Sequence, residues 1–259
     1  MSGDTMELID THCHLNDPRF ESDLPEVIQR ARSAGVTELV NIGYDLDSSR
    51  KGIELAALYS GLKTTVGIHP HDADTADEAA LAELAKLAGA ESVAAIGEIG
   101  LDYYYDNSPR ELQRLAFRRQ MELAKEMDLP VVIHSRSAAQ ETLEILQEFA
   151  PLRGIMHCFS GSFETAQICM DLGLYIAFGG AITFKNADRL RGVAARVPLE
   201  RTVLETDCPY LSPEPWRGRR NEPAYLVSVL AKLAELKQVS EAEAARITTV
   251  NARNVFGLE

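Results

Sequence analysis

Residues 130–157, PVVIHSRSAAQETLEILQEFAPLRGIMH, hold two short apolar runs, each closed by a histidine, on either side of an amphipathic stretch. The runs at 130–134 and 153–157 are brief and apolar, the first of them β-branched, which predicts buried strands; the Leu/Glu-rich segment 137–149 predicts a helix. A strand, a crossover helix and a second strand form a parallel unit. The same alternation runs outward in both directions. Further strands are expected at 7–11, 36–43, 62–68, 92–98, 173–178 and 201–206. Helices are expected at 24–34, 47–59, 76–88, 109–127, 163–171, 186–196, 223–236 and 240–255. Ser108-Pro109 and Asn221-Glu222-Pro223 read as helix starts with proline in the first turn. Eight strand–helix units in 259 residues predict an α/β fold, one (β/α)8 TIM barrel over 1–259, with 99–108 and 207–222 as long βα loops. Chemistry on such a barrel sits at the C-terminal strand ends.

Composition agrees with a globular chain that buries a large core, at 46% hydrophobic and 25% charged residues. The net charge of −13 excludes a broad basic nucleic-acid footprint, so a phosphate substrate needs local positive charge, which bound cations supply. Cys13, Cys158, Cys169 and Cys208 form no CxxC pair and are expected as reduced, packed thiols. The opening MSGDTMELID lacks a basic stretch followed by a long apolar run, and no segment reaches the roughly 18 apolar residues of a membrane span. A cytoplasmic protein is expected, with no membrane association and no obligate protein partner.

All six histidines, His12, His14, His69, His71, His134 and His157, fall at or just past an expected strand end. In Asp10-Thr11-His12-Cys13-His14, the imidazoles are two residues apart on an extended segment and project from one face, so both can grip one ion. The same parity turns Cys13 away, and separates Cys158 from His157 and Cys208 from Asp207. Glu98 closes the apolar run Ala94-Ala95-Ile96-Gly97-Glu98, where a buried carboxylate needs a cation: an Arg or Lys partner, or a metal. His134 and His157, on adjacent strands, stand as further ligands. Glu205-Thr206-Asp207 ends the eighth strand with two carboxylates on one side, and barrel closure brings Asp207 towards His12 and His14. Asp207 can bind an ion and take a proton from water. Glu205, one layer deeper, orients a ligand or substrate or forms a buried ion pair.

With these residues placed, the sequence resembles the TatD family of metal-dependent hydrolases and nucleases, within the wider amidohydrolase-like barrels. The resemblance rests on DTHCHL (10–15), VGIHPH (66–71), IGEIGLDY (96–103), VVIHSR (131–136), HCFSGS (157–162), ETDCPYLSP (205–213) and RGRRNEP (217–223). It implies two divalent ions: His12 and His14 hold one, His134 and His157 the other, Glu98 bridges, and Asp207 completes the first site. The mixed ligand set suits Zn, Mn, Fe or Ni better than Mg, although members of the family resemble Mg-activated nucleases. Ser137 stands where the family often has Asp and is expected to cap the next helix. By the resemblance, His69 and His71 line the pocket and donate to a phosphate or leaving group; the plain alternative is loop bracing. Arg136 shares parity with His134, and the Ser160-Gly161 amides precede a helix where an anion can sit. Arg217, Arg219 and Arg220, beside Trp216, form a phosphate clamp with a stacking face, or a solvated charge cluster.

The expected activity is hydrolysis of phosphodiester bonds in single-stranded DNA or RNA by metal-activated water, with Asp207 accepting the proton. The 3′-to-5′ exonuclease direction comes from the resemblance alone. The same ligands serve an ester or amide hydrolase acting on a misacylated tRNA or a small metabolite. A non-catalytic metal- or partner-binding scaffold is the third reading, and the retention of both Glu205 and Asp207 weighs against it.

Overall fold

The computed structural model describes residues 6–258. Eight parallel strands run in chain order around the sheet. They are β1 (Leu8–Cys13), β2 (Val36–Asn41), β3 (Leu62–Val66), β4 (Val93–Asp102), β5 (Val131–Arg136), β6 (Gly154–Met156), β7 (Leu174–Phe178) and β8 (Thr202–Leu204). The helices are α1 (Leu24–Ser33), α2 (Leu46–Leu58), α3 (Glu78–Ala88), α4 (Arg110–Glu126), α5 (Ala139–Glu148), α6 (Phe163–Asp171), α7 (Asp188–Arg196), α8 (Leu226–Lys237) and α9 (Glu241–Phe256). The sheet is a (β/α)8 barrel, as expected. None of the helices among the described residues is long and apolar enough to cross a membrane.

Strand alternation sorts the apolar residues into two layers. Leu8, Leu39, Val66, Ile99, Ile133 and Leu204 face outward against the helices. Ile9, Val40, Val132, Ile155 and Val203 face inward, where Ala252, Val255 and Phe256 of α9 join them. Thr249 of α9 donates to the Glu7 carbonyl, and Asn251 donates to the carbonyls of Leu199 and Thr202. These anchors lie at the N-terminal strand ends, so α9 stops the barrel at the end opposite the histidines.

The barrel closes along an irregular seam. β8 ends at Leu204, and the chain beyond it meets β1: Asp207 donates its amide to His12 O at 2.9 Å and His14 donates to Cys208 O at 2.8 Å. The Asp10 carboxylate accepts the Thr206 amide at 2.9 Å and its hydroxyl at 2.5 Å. Burial holds the Asp10 carboxyl up at about 7, against these hydrogen bonds. Cys13 and Cys208 bury their side chains in the outer layer, and Cys169 is buried on α6.

Four local expectations are corrected. β4 continues to Asp102, so the loop expected at 99–108 begins only at Tyr103. Ser137 does not cap α5: Ala138 is the N-cap, with no side-chain hydrogen bond, and Ser137 itself adopts φ 54°. Pro109 is the N-cap of α4 and not its first-turn residue. Asp207 reaches the site through a left-handed residue, φ 55°, and not by strand alternation from Glu205.

Candidate metal centre

β1 delivers His12 and His14 side by side, with their Nε2 atoms 3.2 Å apart. Asp207 Oδ1 lies 3.4 Å from His14 Nε2 and 3.7 Å from His12 Nε2. Glu98 comes from the middle of β4, just past an irregularity in register between Ile96 and Ile99 that turns its side chain inward. Its two oxygens face different partners. Oε2 is 3.6 Å from His12 Nε2, whereas Oε1 is 2.8 Å from His134 Nδ1, 3.0 Å from His157 Nε2 and 3.6 Å from His69 Nε2. The His12 and His157 rings stack at 3.8 Å between the two groups.

Two atoms each about 2.1 Å from one ion stand roughly 3 to 3.5 Å apart. The spacings of His12, His14 and Asp207 from one another, of Glu98 Oε2 from His12, and of Glu98 Oε1 from His134 and His157 fall in or near that range. The donors are imidazole nitrogens and carboxylate oxygens, buried and converging, so the residues fit divalent ions. Three compact donor groups occur among the described residues: His12/His14/Glu98, His12/His157/Glu205 and His69/Glu98/His134.

The electrostatics divide the cluster. Burial pushes His12 and His69 well below the ordinary imidazole value. Burial also pulls His134 and His157 down, but carboxylates outweigh it and hold both above that value: Asp102 and Glu98 for His134, Glu98 and Glu205 for His157. Burial would raise Glu98, yet the surrounding imidazoles, His157 foremost, hold it well below the carboxylate range.

Glu205 is sealed and accepts the Cys158 amide at 2.7 Å, with Oε1 facing His157 Nδ1 across 3.5 Å. Burial raises its pKa. The Asp207 side chain is 14% exposed where that of Glu205 is 0%, so of these two only Asp207 can meet a reacting molecule.

His71 lies at the rim, its Nε2 3.0 Å from Asp102 Oδ2. The exposed Arg136 guanidinium sits over Tyr104 and Tyr105, at 4.3 and 4.7 Å from the ring centroids. Ser160 and Gly161 line a cavity beside His157, and the Ser160 carbonyl accepts from Arg189. The loop arginines have partners of their own. Arg220 pairs with Asp23 at 2.7 Å, Arg217 donates to Ser212 O and covers Phe184, and Arg219 lies over Trp216, whose ring stacks on Tyr225.

Two features escaped the sequence reading. Asp102 shares the inward parity of Glu98 on β4, a signal hidden by ending the strand at Glu98. The exposed tyrosines Tyr104, Tyr105 and Tyr210 are the other. Tyr105 stands 5.3 Å from the His71 ring and Tyr210 5.9 Å from the His14 ring.

A family model described as TatD related DNase matches residues 9–257. The chain is 44% identical to an uncharacterized metal-dependent hydrolase, YabD, of Bacillus subtilis over 96% of this chain and 98% of that one. It is 36% identical to a protein of Klebsiella pneumoniae named 3′-5′ ssDNA/RNA exonuclease TatD, over 97% and 98%. The crystal structure of YJJV, a TatD homolog from Escherichia coli, superposes with a TM-score of 0.93 at 33% identity, covering 98% of this chain and 100% of that one.

Proposed function

Since the chain belongs to the TatD family of metal-dependent hydrolases, we propose that it hydrolyses phosphodiester bonds at the ends of single-stranded DNA or RNA. The observation that carries the reading is the split of Glu98, with one oxygen towards His12 and the other towards His134 and His157. That is the arrangement of a bridging carboxylate between two ion sites, and paired ions suit in-line displacement at phosphorus. Bound there, divalent ions supply Lewis-acid polarisation of a phosphoryl oxygen and acidify an attacking water.

The protein's own residues do the rest. Asp207, the exposed carboxylate beside His12 and His14, takes the proton of the attacking water. His69 and His71 line the mouth on the side of Glu98 and Asp102 and donate to phosphate oxygens or to the leaving group. Arg136 and the Ser160-Gly161 amides hold the flanking phosphate, and Arg219 offers a further positive charge. Tyr104, Tyr105 and Tyr210 offer faces on which unpaired bases stack, a contact indifferent to sequence. An acidic chain with so local a positive rim engages a few nucleotides and not a duplex track. The naming of the Klebsiella relative as a 3′-5′ ssDNA/RNA exonuclease supports the same substrate class and direction.

The test compares labelled single strands with acyl esters at matched concentrations of Mg2+, Mn2+ and Zn2+, using the wild type and Asp207→Asn. Nucleotides should be released from the 3′ end, and Asp207→Asn should lower the rate by about 10²–10⁴-fold. Acyl cleavage without nucleotide release would overturn the assignment, and full activity in the variant would remove Asp207 from its role.

A further inference from the structure

Asp102 is wholly buried at the end of β4, its carboxylate ringed by main-chain amides and imidazole nitrogens. Oδ1 accepts the amides of Tyr104 and Tyr105, each at 2.9 Å. Gln113 fixes the main chain, accepting the Asp102 amide at 2.9 Å and donating to its carbonyl at 3.2 Å. Oδ2 then lies 3.0 Å from His71 Nε2 and 3.1 Å from His134 Nε2. With two main-chain amides on Oδ1 and two imidazole nitrogens on Oδ2, Asp102 is placed as a carboxylate, which can only accept.

An imidazole that donates from Nε2 keeps its lone pair on Nδ1. For His134 the Nδ1 turned to Glu98 Oε1, 2.8 Å away inside the candidate centre, is the nitrogen an entering ion would take once its hydrogen leaves. His69 is set the other way. Its Nδ1 accepts the His71 amide at 3.1 Å, so the ring hydrogen must sit on Nε2, which points at Glu98 Oε1 across 3.6 Å. Two histidines flank the same carboxylate oxygen, at 2.8 and 3.6 Å, yet one turns Nδ1 to it and the other Nε2.

We propose that Asp102 is a positioning residue that holds His134 with hydrogen on Nε2 and so leaves Nδ1 to the second ion, while His69, turned the other way with Nδ1 on the His71 amide, is a hydrogen-bond donor and not a ligand. The inference rests on the cluster being a divalent-ion centre and not on its substrate. A carboxylate behind a ligating imidazole fixes ring orientation and raises its basicity, and its loss typically weakens the metal by about 10–100-fold.

Zn2+ titration of the ion-free protein by calorimetry tests this. The wild type should bind two ions. Asp102→Asn should bind one with unchanged affinity and the other about 10–100-fold more weakly. His69→Gln, which keeps a donor, should bind both as the wild type does. Two ions at wild-type affinity in Asp102→Asn, or an ion lost in His69→Gln, would overturn the proposal. A wild type that takes up no Zn2+ would overturn the centre itself. Should Asp102→Asn fold poorly, 15N imidazole spectra of the Zn2+-loaded wild type decide the matter: His134 should carry hydrogen on Nε2 and metal on Nδ1, and His69 hydrogen on Nε2 with no metal shift. The reverse pattern at either ring contradicts it.

Discussion

The half of the centre built on β1 and the half built on β5 and β6 each offer two imidazoles and one oxygen of Glu98, the first with Asp207 besides, but different things stand behind the rings. His12 and His14 are held by main-chain bonds across the barrel seam, and neither Nδ1 has a partner among the described residues. His134 is hydrogen-bonded to the buried Asp102 at 3.1 Å, and His157 Nδ1 faces the buried Glu205 across 3.5 Å without a hydrogen bond. One half is rigid because the backbone is; the other is tuned by side chains. A fixed frame tolerates an uncharged imidazole, whereas carboxylates raise the basicity of the rings they touch.

The largest effect should come from the residue the halves share. Glu98→Gln should weaken both ions together and lower turnover by about 10³-fold, the several kcal/mol that metal polarisation supplies. Counting bound ions against activity checks this; loss of one ion alone would mean that Glu98 serves a single half.

A smaller effect should separate the halves. Glu205→Gln removes the carboxylate behind His157 only, and should weaken one ion about 10–100-fold in a metal titration while sparing the ion at His12 and His14. Equal weakening of both would erase the contrast.

The smallest effect is in pH. His134 and His157 have raised pKa values, so in the ion-free protein they stay protonated above the ordinary imidazole value, and an ion must displace those protons. Affinity in that half should therefore rise with pH through the neutral range. His12 is depressed and already neutral there, so no proton of its own opposes an ion in that range. The same shifts carry a stability sign: the contribution of His134 and His157 is complete below about 6.5 and is lost as pH rises through their folded values. Zn2+ calorimetry in buffers of different ionisation enthalpy would show proton release with the ion at His134 and His157.

How far the sequence reached follows the same division. On β1, His12 and His14 reach the centre and Cys13 the outer layer, as read, but the register against β2 slips between Asp10 and Cys13, so Leu8 and Cys13 share the outer layer and strict alternation does not run the length of the strand. At the eighth strand the same rule placed Asp207 near His12 and His14, where it lies, but for the wrong reason. β8 stops at Leu204, and Asp207 arrives through a left-handed turn stitched to β1, which no periodicity reveals. Asp102 was hidden because β4 bends at Gly97 and then resumes, so the carboxylate two positions past Gly100 looked like loop. The Arg220 side chain read either as part of a phosphate clamp or as solvated charge and structural pairing, and its partner Asp23, far along the chain, is visible only in three dimensions.

The central claim is that Glu98 joins two ion sites, and anomalous diffraction from crystals soaked in Mn2+ tests it most directly. Two peaks about 3.5–4 Å apart should appear, one against His12, His14 and Asp207 and one against His134 and His157, with a Glu98 oxygen on each. A single peak, or two that leave Glu98 on one side only, would contradict the account.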